Sequence, residues 1–196
     1  DCSITSKEAA VYVEYKNNSH DIYIAGKFVA KVNGPKLLQL SISLSVGVLL
    51  ALELNTKEYL TNLKSLEKTE HRQNIIKSDY GHSIIDNSFN SNPMGIEYSL
   101  ETLSELGTKD SKKYLITPGL IELGSDQYSI NYAFATEASL IIDHALVVGF
   151  TNKRSLMAGF EENNTPANWF MNRDEAVAFL NSIVESDDIV LFENDL

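Results

Sequence analysis

The chain has a single cysteine, Cys2, so it can form no internal disulfide. That fits a reducing compartment, and the cytoplasm is the expected location. Cys2 also sits at the extreme terminus, where order is usually poor, which argues against a thiol nucleophile. Positive charge is scarce: 16 Lys and Arg stand against 27 Asp and Glu, a net charge of −11. Nucleic-acid binding through a broad basic surface needs clustered Lys and Arg, so that class is excluded. A nucleotide needs only one local cradle and is not. His20, His71 and His82 lack metal-ligand spacing, so no zinc site is expected. No Gly-x-Gly-x-x-Gly follows a strand, which counts against a free-standing NAD-binding protein. Nor does a glycine-rich loop end in Gly-Lys-Ser or Gly-Lys-Thr; Gly26-Lys27 and Gly34-Pro35-Lys36 lack the flanking pattern.

Long apolar runs are missing too. The most apolar stretch, Leu37–Leu54, is interrupted by Gln39, Ser41, Ser43, Ser45 and Glu53. A bilayer span needs about 20 mostly apolar residues, so a buried helix is expected and no membrane span. The first residues are polar and acidic, so no secretory leader is expected, and the sequons at Asn17 and Asn163 carry no weight without one.

What remains is ordinary for a globular protein: 43% hydrophobic and 22% charged residues in a chain long enough for one large or two small domains. Alternation predicts strands over Ala10–Lys16, Asp21–Ala25 and Phe28–Val32, a meander with a turn at Asn17-Asn18-Ser19. An apolar helix over Lys36–Leu54 follows, then a helix capped by Thr56 and running to about Glu67. The charged run Lys68–Gln73 marks a domain boundary. Beyond it strands and helices alternate. Strands are predicted over Gln73–Lys77, His82–Ile85, Lys113–Ile116, Ala145–Val148, Trp169–Met171 and Ile189–Phe192. Helices are predicted over Met94–Leu106, Asp126–Ile141, Lys153–Glu162 and Arg173–Val184. Repeated β-α-β spacing implies a mostly parallel sheet with helices on both faces.

The most informative stretch runs from Ser83 to Pro93. An apolar run stops at Asp86, and a cluster of amides ends in proline before a helical pattern begins. Strands end this way when they feed a ligand-binding turn at the carboxyl edge of an open α/β sheet. They also end this way in a self-capping Asx-rich turn. The residue chemistry alone leaves both readings open.

The order Asp86-Asn87-Ser88-Phe89-Asn90-Ser91-Asn92-Pro93 resembles the Asp-Asp-Ser-Tyr-Asn-Ala-Asn-Pro motif of the Mur ligase family. Asp86 takes the first acid position and Asn87 replaces the second. Ser88, Asn90, Asn92 and Pro93 are unchanged, and Phe89 and Ser91 are near-matches. A second likeness is Glu122-Leu123-Gly124, in a loop that opens with Thr117-Pro118-Gly119; read without the family, that loop is an ordinary connection. Arg72 stands where many members place an arginine that reaches the ATP γ-phosphate; without the family it is a solvated linker residue.

The resemblance implies an α/β protein with a Rossmann-like, mostly parallel sheet in a C-terminal domain, residues 71–196. The distal strands and helices of a central ATPase domain, residues 1–70, would precede it. It implies ATP and Mg²⁺ as cofactors of a longer parent, with neither held tightly by this chain alone. Arg72, Asp86, Ser88, Asn90 and Asn92 would face the nucleotide, and Thr117, Gly119 and Glu122 the substrate. The partners implied are a UDP-N-acetylmuramoyl peptide and a D-alanyl-D-alanine-like amine. No catalytic or metal-binding residue is assigned. The phosphate loop, the magnesium ligands and the domain that grips UDP would lie upstream, so the isolated chain is expected to be inactive.

Asp143-His144 would be a strand start rather than a dyad, because adjacent residues on an extended segment point to opposite faces. The acids of the tail from Asp187 to Leu196 would be a solvated strand end. Lys36, Leu37 and Leu40 replace the polar residues of the family's Gly-x-His-Asn-x-x-Asn, and leucine cannot hydrogen-bond adenine. That loss motivates a rival reading, a degenerate relative that binds or scaffolds without catalysis.

Overall fold

Paired left-handed residues fold the first strands into a meander. The computed structural model describes residues 1–34, 36, 38–63, 73–89 and 91–195. The chain divides into two units, Asp1–Glu67 and Lys68–Leu196. In the first, β1 (Cys2–Ser3) runs parallel to β2 (Val11–Lys16), and β3 (Ser19–Ile24) and β4 (Lys27–Asn33) follow antiparallel, in the order β1-β2-β3-β4. Asn17 and Asn18, with φ of 51° and 55°, turn β2 into β3, and Ala25 and Gly26, at 48° and 73°, turn β3 into β4. Two consecutive positive φ values match the twist of the flanking strands. Ser19 therefore opens β3 rather than closing the turn, two residues earlier than the sequence predicts.

Helix α1 (Leu38–Ala51) buries Ile42 and Val46 against Val11, Val13, Ile22 and Val32. Its i, i+4 row Leu40, Leu44 and Val48 is exposed among the described residues. Helix α2 (Thr56–Asn62) is capped by Asn55, whose Oδ1 accepts from Glu58 N at 3.3 Å. Thr56 was the expected cap; it is instead the first helical residue. No helix among the described residues is long and apolar enough to cross a membrane.

The second unit is a six-stranded sheet in the order β5-β6-β10-β7-β8-β9. Its strands are β5 (Asn74–Lys77), β6 (Ser83–Asn87), β7 (Lys113–Thr117), β8 (His144–Val148), β9 (Ala167–Phe170) and β10 (Ile189–Glu193). Only β5 runs antiparallel. Its helices are α3 (Pro93–Glu105), α4 (Gln127–Ala138), α5 (Lys153–Glu162) and α6 (Arg173–Ile183). A short 3-10 turn, Gly124–Asp126, takes the first residue expected of α4.

Right-handed crossovers explain which face each helix covers. The path β6-β7-β8-β9 steps in one direction, so α3, α4 and α5 share one face; the return from β9 to β10 reverses, so α6 lies on the other. The first face is closed by Leu100, Leu103, Phe134, Leu156 and Phe160 over Ile85, Leu115 and Leu191. The second is closed by Ala176 and Leu180 over Tyr114, Ile116, Leu146 and Val190.

Candidate functional site

Strand order delivers the candidate residues to one edge. The carboxyl ends of β6, β10 and β7 are neighbours, so the Asp86 corner, the chain after β10 and the Thr117 loop emerge side by side. Asp86 pairs in register with Phe192, and its flanking residues Ile85 and Asn87 turn toward α3.

The corner is built by its own side chains. Asp86 Oδ1 accepts from Ser88 Oγ at 2.6 Å and from Ser88 N at 3.2 Å. Asn92 caps α3, its Oδ1 accepting from Gly95 N at 2.9 Å, with Pro93 in the first turn. Phe89 and Asn92 are exposed, and Asp86, Ser88 and Ser91 are half-buried. The self-capping turn and the sheet-edge position thus coexist. Arg72 and Asn90, two of the expected nucleotide contacts, lie outside the described residues, as does Leu37.

Beneath the corner lies a buried polar hub. Asn87 Nδ2 donates to both oxygens of Glu193, at 2.9 and 3.0 Å, and to Ser99 Oγ at 2.9 Å. Asn87 Oδ1 accepts from Gln73 N at 3.3 Å. Glu193 has no exposed surface, which corrects the expectation of a solvated strand end. Burial pushes its carboxyl above the usual range, against the opposing effect of the hydrogen bonds from Asn87. A single acid in an alternating tail gives no sign of this, because its partner lies 106 residues away.

The β7 loop is held from behind. Thr117 is wholly buried, and its Oγ1 accepts from Gly119 N at 3.0 Å. Asn131 accepts from Leu120 N at 2.8 Å and donates to Leu120 O at 2.9 Å, while Asn152 Nδ2 donates to Pro118 O and Leu120 O. Gln127 also donates to Leu120 O. Gly119 has φ +77°, and a Cβ there would lie 2.9 Å from Asn152 Nδ2 and closer still to Asn131 Oδ1. Thr117 and Gly119 therefore shape the loop from inside, while Glu122 is exposed on it with φ +63°.

The topology marks a second place that sequence reasoning missed. β8 feeds α5 on one face and its neighbour β9 feeds α6 on the other, and ligands of open α/β sheets bind in crevices at such reversals. There Phe150 and Met171 are exposed, and Trp169 lies against Phe150 with ring centroids 4.8 Å apart. Lys153 Nζ stands 3.5 Å from the Trp169 ring centroid. No side chain caps α5, because Asn152 is turned inward to the β7 loop. A cation, an aromatic floor and a helix N-terminus suit a carboxylate. The signal was present in Asn152-Lys153-Arg154, a helix start with basic residues and no acid.

Asp143 and His144 have separate partners: Asp143 Oδ2 accepts from Lys113 N at 2.8 Å, and His144 Nε2 pairs with Asn168 Oδ1 at 2.7 Å. Leu40 is exposed on α1, and its neighbour Gln39 donates to Val13 O at 2.7 Å. Among the described residues, no group of three or more His, Cys, Asp or Glu could hold a metal ion.

No curated protein matches the chain. Solved structures do. MurF from Acinetobacter baumannii aligns with a TM-score of 0.74 at 17% identity, over 96% of this chain and 42% of that one. The MurF ligase of Thermotoga maritima in complex with ADP gives 0.64 at 19%, over 94% and 43%. The bifunctional folylpolyglutamate synthase/dihydrofolate synthase of Yersinia pestis CO92 gives 0.66 at 14%, over 96% and 43%. At these identities the likeness is one of fold, and the chain spans less than half the length of each. The sequence model described as Mur ligase, glutamate ligase domain matches residues 71–193, which is most of the second unit and more than half of the chain. The chain therefore belongs to the Mur ligase family.

Proposed function

We propose that this chain is the C-terminal part of an ATP-dependent, ADP-forming amide ligase of peptidoglycan precursor synthesis, acting in the cytoplasm. The first unit would be the distal part of its central ATP-binding domain. The second would be its C-terminal domain. The observation that carries this reading is the Asp86–Asn92 corner, which emerges at the carboxyl edge of a parallel sheet inside the family-matched region. The bare apolar row of Leu40, Leu44 and Val48 on α1 adds support, since an exposed apolar stripe on a helix is normally covered.

In the proposed reaction a substrate carboxylate takes the γ-phosphoryl group of ATP, giving an acyl phosphate and ADP. The amine nitrogen attacks the acyl carbon, and the tetrahedral intermediate expels phosphate and loses a proton to leave the amide. This chain's share is orientation. Ser88 and Asn92 would face the nucleotide side with Asp86, Glu122 on the Thr117 loop would face the substrate, and Lys153 over Trp169 would meet the carboxylate of a D-alanyl-D-alanine-like amine. The acid substrate would be a UDP-N-acetylmuramoyl peptide. Mg²⁺ would serve the parent enzyme, but no carboxylate or histidine cluster among the described residues fits it.

The test is ADP release with UDP-N-acetylmuramoyl tripeptide and D-alanyl-D-alanine. The full-length polypeptide that carries this sequence should turn over, and residues 1–196 alone should not. Turnover by residues 1–196 would refute the division of labour. The apolar Leu40 favours a second reading, a non-catalytic scaffold. Titration of the full-length polypeptide with Mg-nucleotide separates the two: saturable binding supports the ligase, and none at millimolar nucleotide supports the scaffold.

A further inference from the structure

Asn194 lies one residue past β10, wholly buried, with φ +64°. Asparagine is among the few non-glycine residues that adopt this conformation readily. Its Oδ1 accepts from Ser91 N at 2.9 Å, in the corner before α3. Its Nδ2 donates to Gly119 O at 2.6 Å, in the loop after β7. Its own backbone N donates to Asn87 O at 3.0 Å. One side chain thus ties together two segments that leave different strands and that are separated in sequence by the whole of α3.

We infer that Asn194 is a positioning residue for the ligation: it holds the Asp86–Asn92 corner and the Thr117–Glu122 loop at a fixed spacing. The inference rests on the ligase reading above. The physical reason is geometric. Groups that act on two reactants must keep their separation, and a misplacement of about 1 Å costs on the order of 100-fold in rate. Asn131, Asn152 and Gln127 hold the Thr117–Glu122 loop from behind, and Asn194 ties it across to the corner. A buried side chain satisfied at both ends suppresses drift between the two, because losing either bond strands a buried polar group.

Two variants of the full-length polypeptide test this. Asn194→Gly removes both side-chain bonds and tolerates the positive φ. Asn194→Asp keeps an acceptor for Ser91 N but removes the donor to Gly119 O. The glycine variant should speed amide exchange about ten-fold in both 88–92 and 117–122, leaving β8 and α5 unchanged. The aspartate variant should loosen 117–122 more than 88–92. Both should lower kcat for ADP release about ten-fold or more, with the nucleotide KM within about three-fold, a split that general destabilisation does not produce. The inference is overturned if Asn194→Gly leaves either segment's exchange at the wild-type rate. It is also overturned if both segments loosen and kcat is unchanged. A wild-type polypeptide that releases no ADP at all defeats the ligase reading itself; altered exchange would then show a structural tie without a catalytic purpose.

Discussion

Restoring the acid of the family motif at position 87 is expected to damage this protein. Asn87→Asp places a second carboxylate within about 3 Å of Glu193, inside a hub with no exposed surface at Glu193. It also removes the donor to Ser99. A second carboxyl group in this buried site and the loss of the Asn87 donor bonds together cost about 2–4 kcal/mol at pH 8. Exchanging the two groups, Asn87→Asp with Glu193→Gln, restores one amide against one acid and should recover most of the loss. The pH dependence has a definite sign. Burial raises the Glu193 carboxyl in the folded state, so its contribution is fully present below the unfolded value and is lost as pH rises through the folded one. Glu193→Gln should therefore gain stability on the alkaline side and change little at acid pH. Urea unfolding followed at Trp169, the only tryptophan, reports on the second unit alone. Asn87→Asp as stable as wild type at pH 8, or a double variant no better than the single, would contradict the hub.

Gly119→Ala is the second large expected effect. Its φ of +77° costs an L-residue about 1–2 kcal/mol. The new methyl would also press on Asn131 and Asn152, which hold Pro118 and Leu120 in place. Overpacking adds about 1–3 kcal/mol, for a total of about 2–5 kcal/mol. Gly124 is the internal control: its φ is +57°, but no atom lies within 4 Å of a Cβ there. Gly124→Ala should show the strain alone. Equal losses at the two sites, by the same fluorescence measurement, would mean that the asparagine network does not constrain the loop.

Local signals made the fold readable. Alternation in β2, the run Ile84–Ile85 ending at Asp86, and Asn92-Pro93 opening α3 each act over a few residues, and the structure keeps all three. The misses came from choices between adjacent residues or from distant partners. Asn55 caps α2 in place of Thr56, a difference of one residue that propensity does not resolve. Glu193 and Asn194 read as a polar strand end because burial depends on β10 inserting between β6 and β7, a consequence of strand order. The loop-holding role of Asn152 depends on Leu120, 32 residues earlier. The motif located the edge; the buried groups that stiffen it were set by topology.

The central claim is that the Asp86 corner faces the reactants. Asp86→Ala in the full-length polypeptide tests it most directly, by steady-state ADP release beside Trp169-monitored unfolding. The kcat/KM value should fall about ten-fold or more, the scale of one charge-assisted hydrogen bond, and the unfolding free energy by about 1–2 kcal/mol for the lost bonds to Ser88. Unchanged turnover, with the corner intact or not, would contradict that claim.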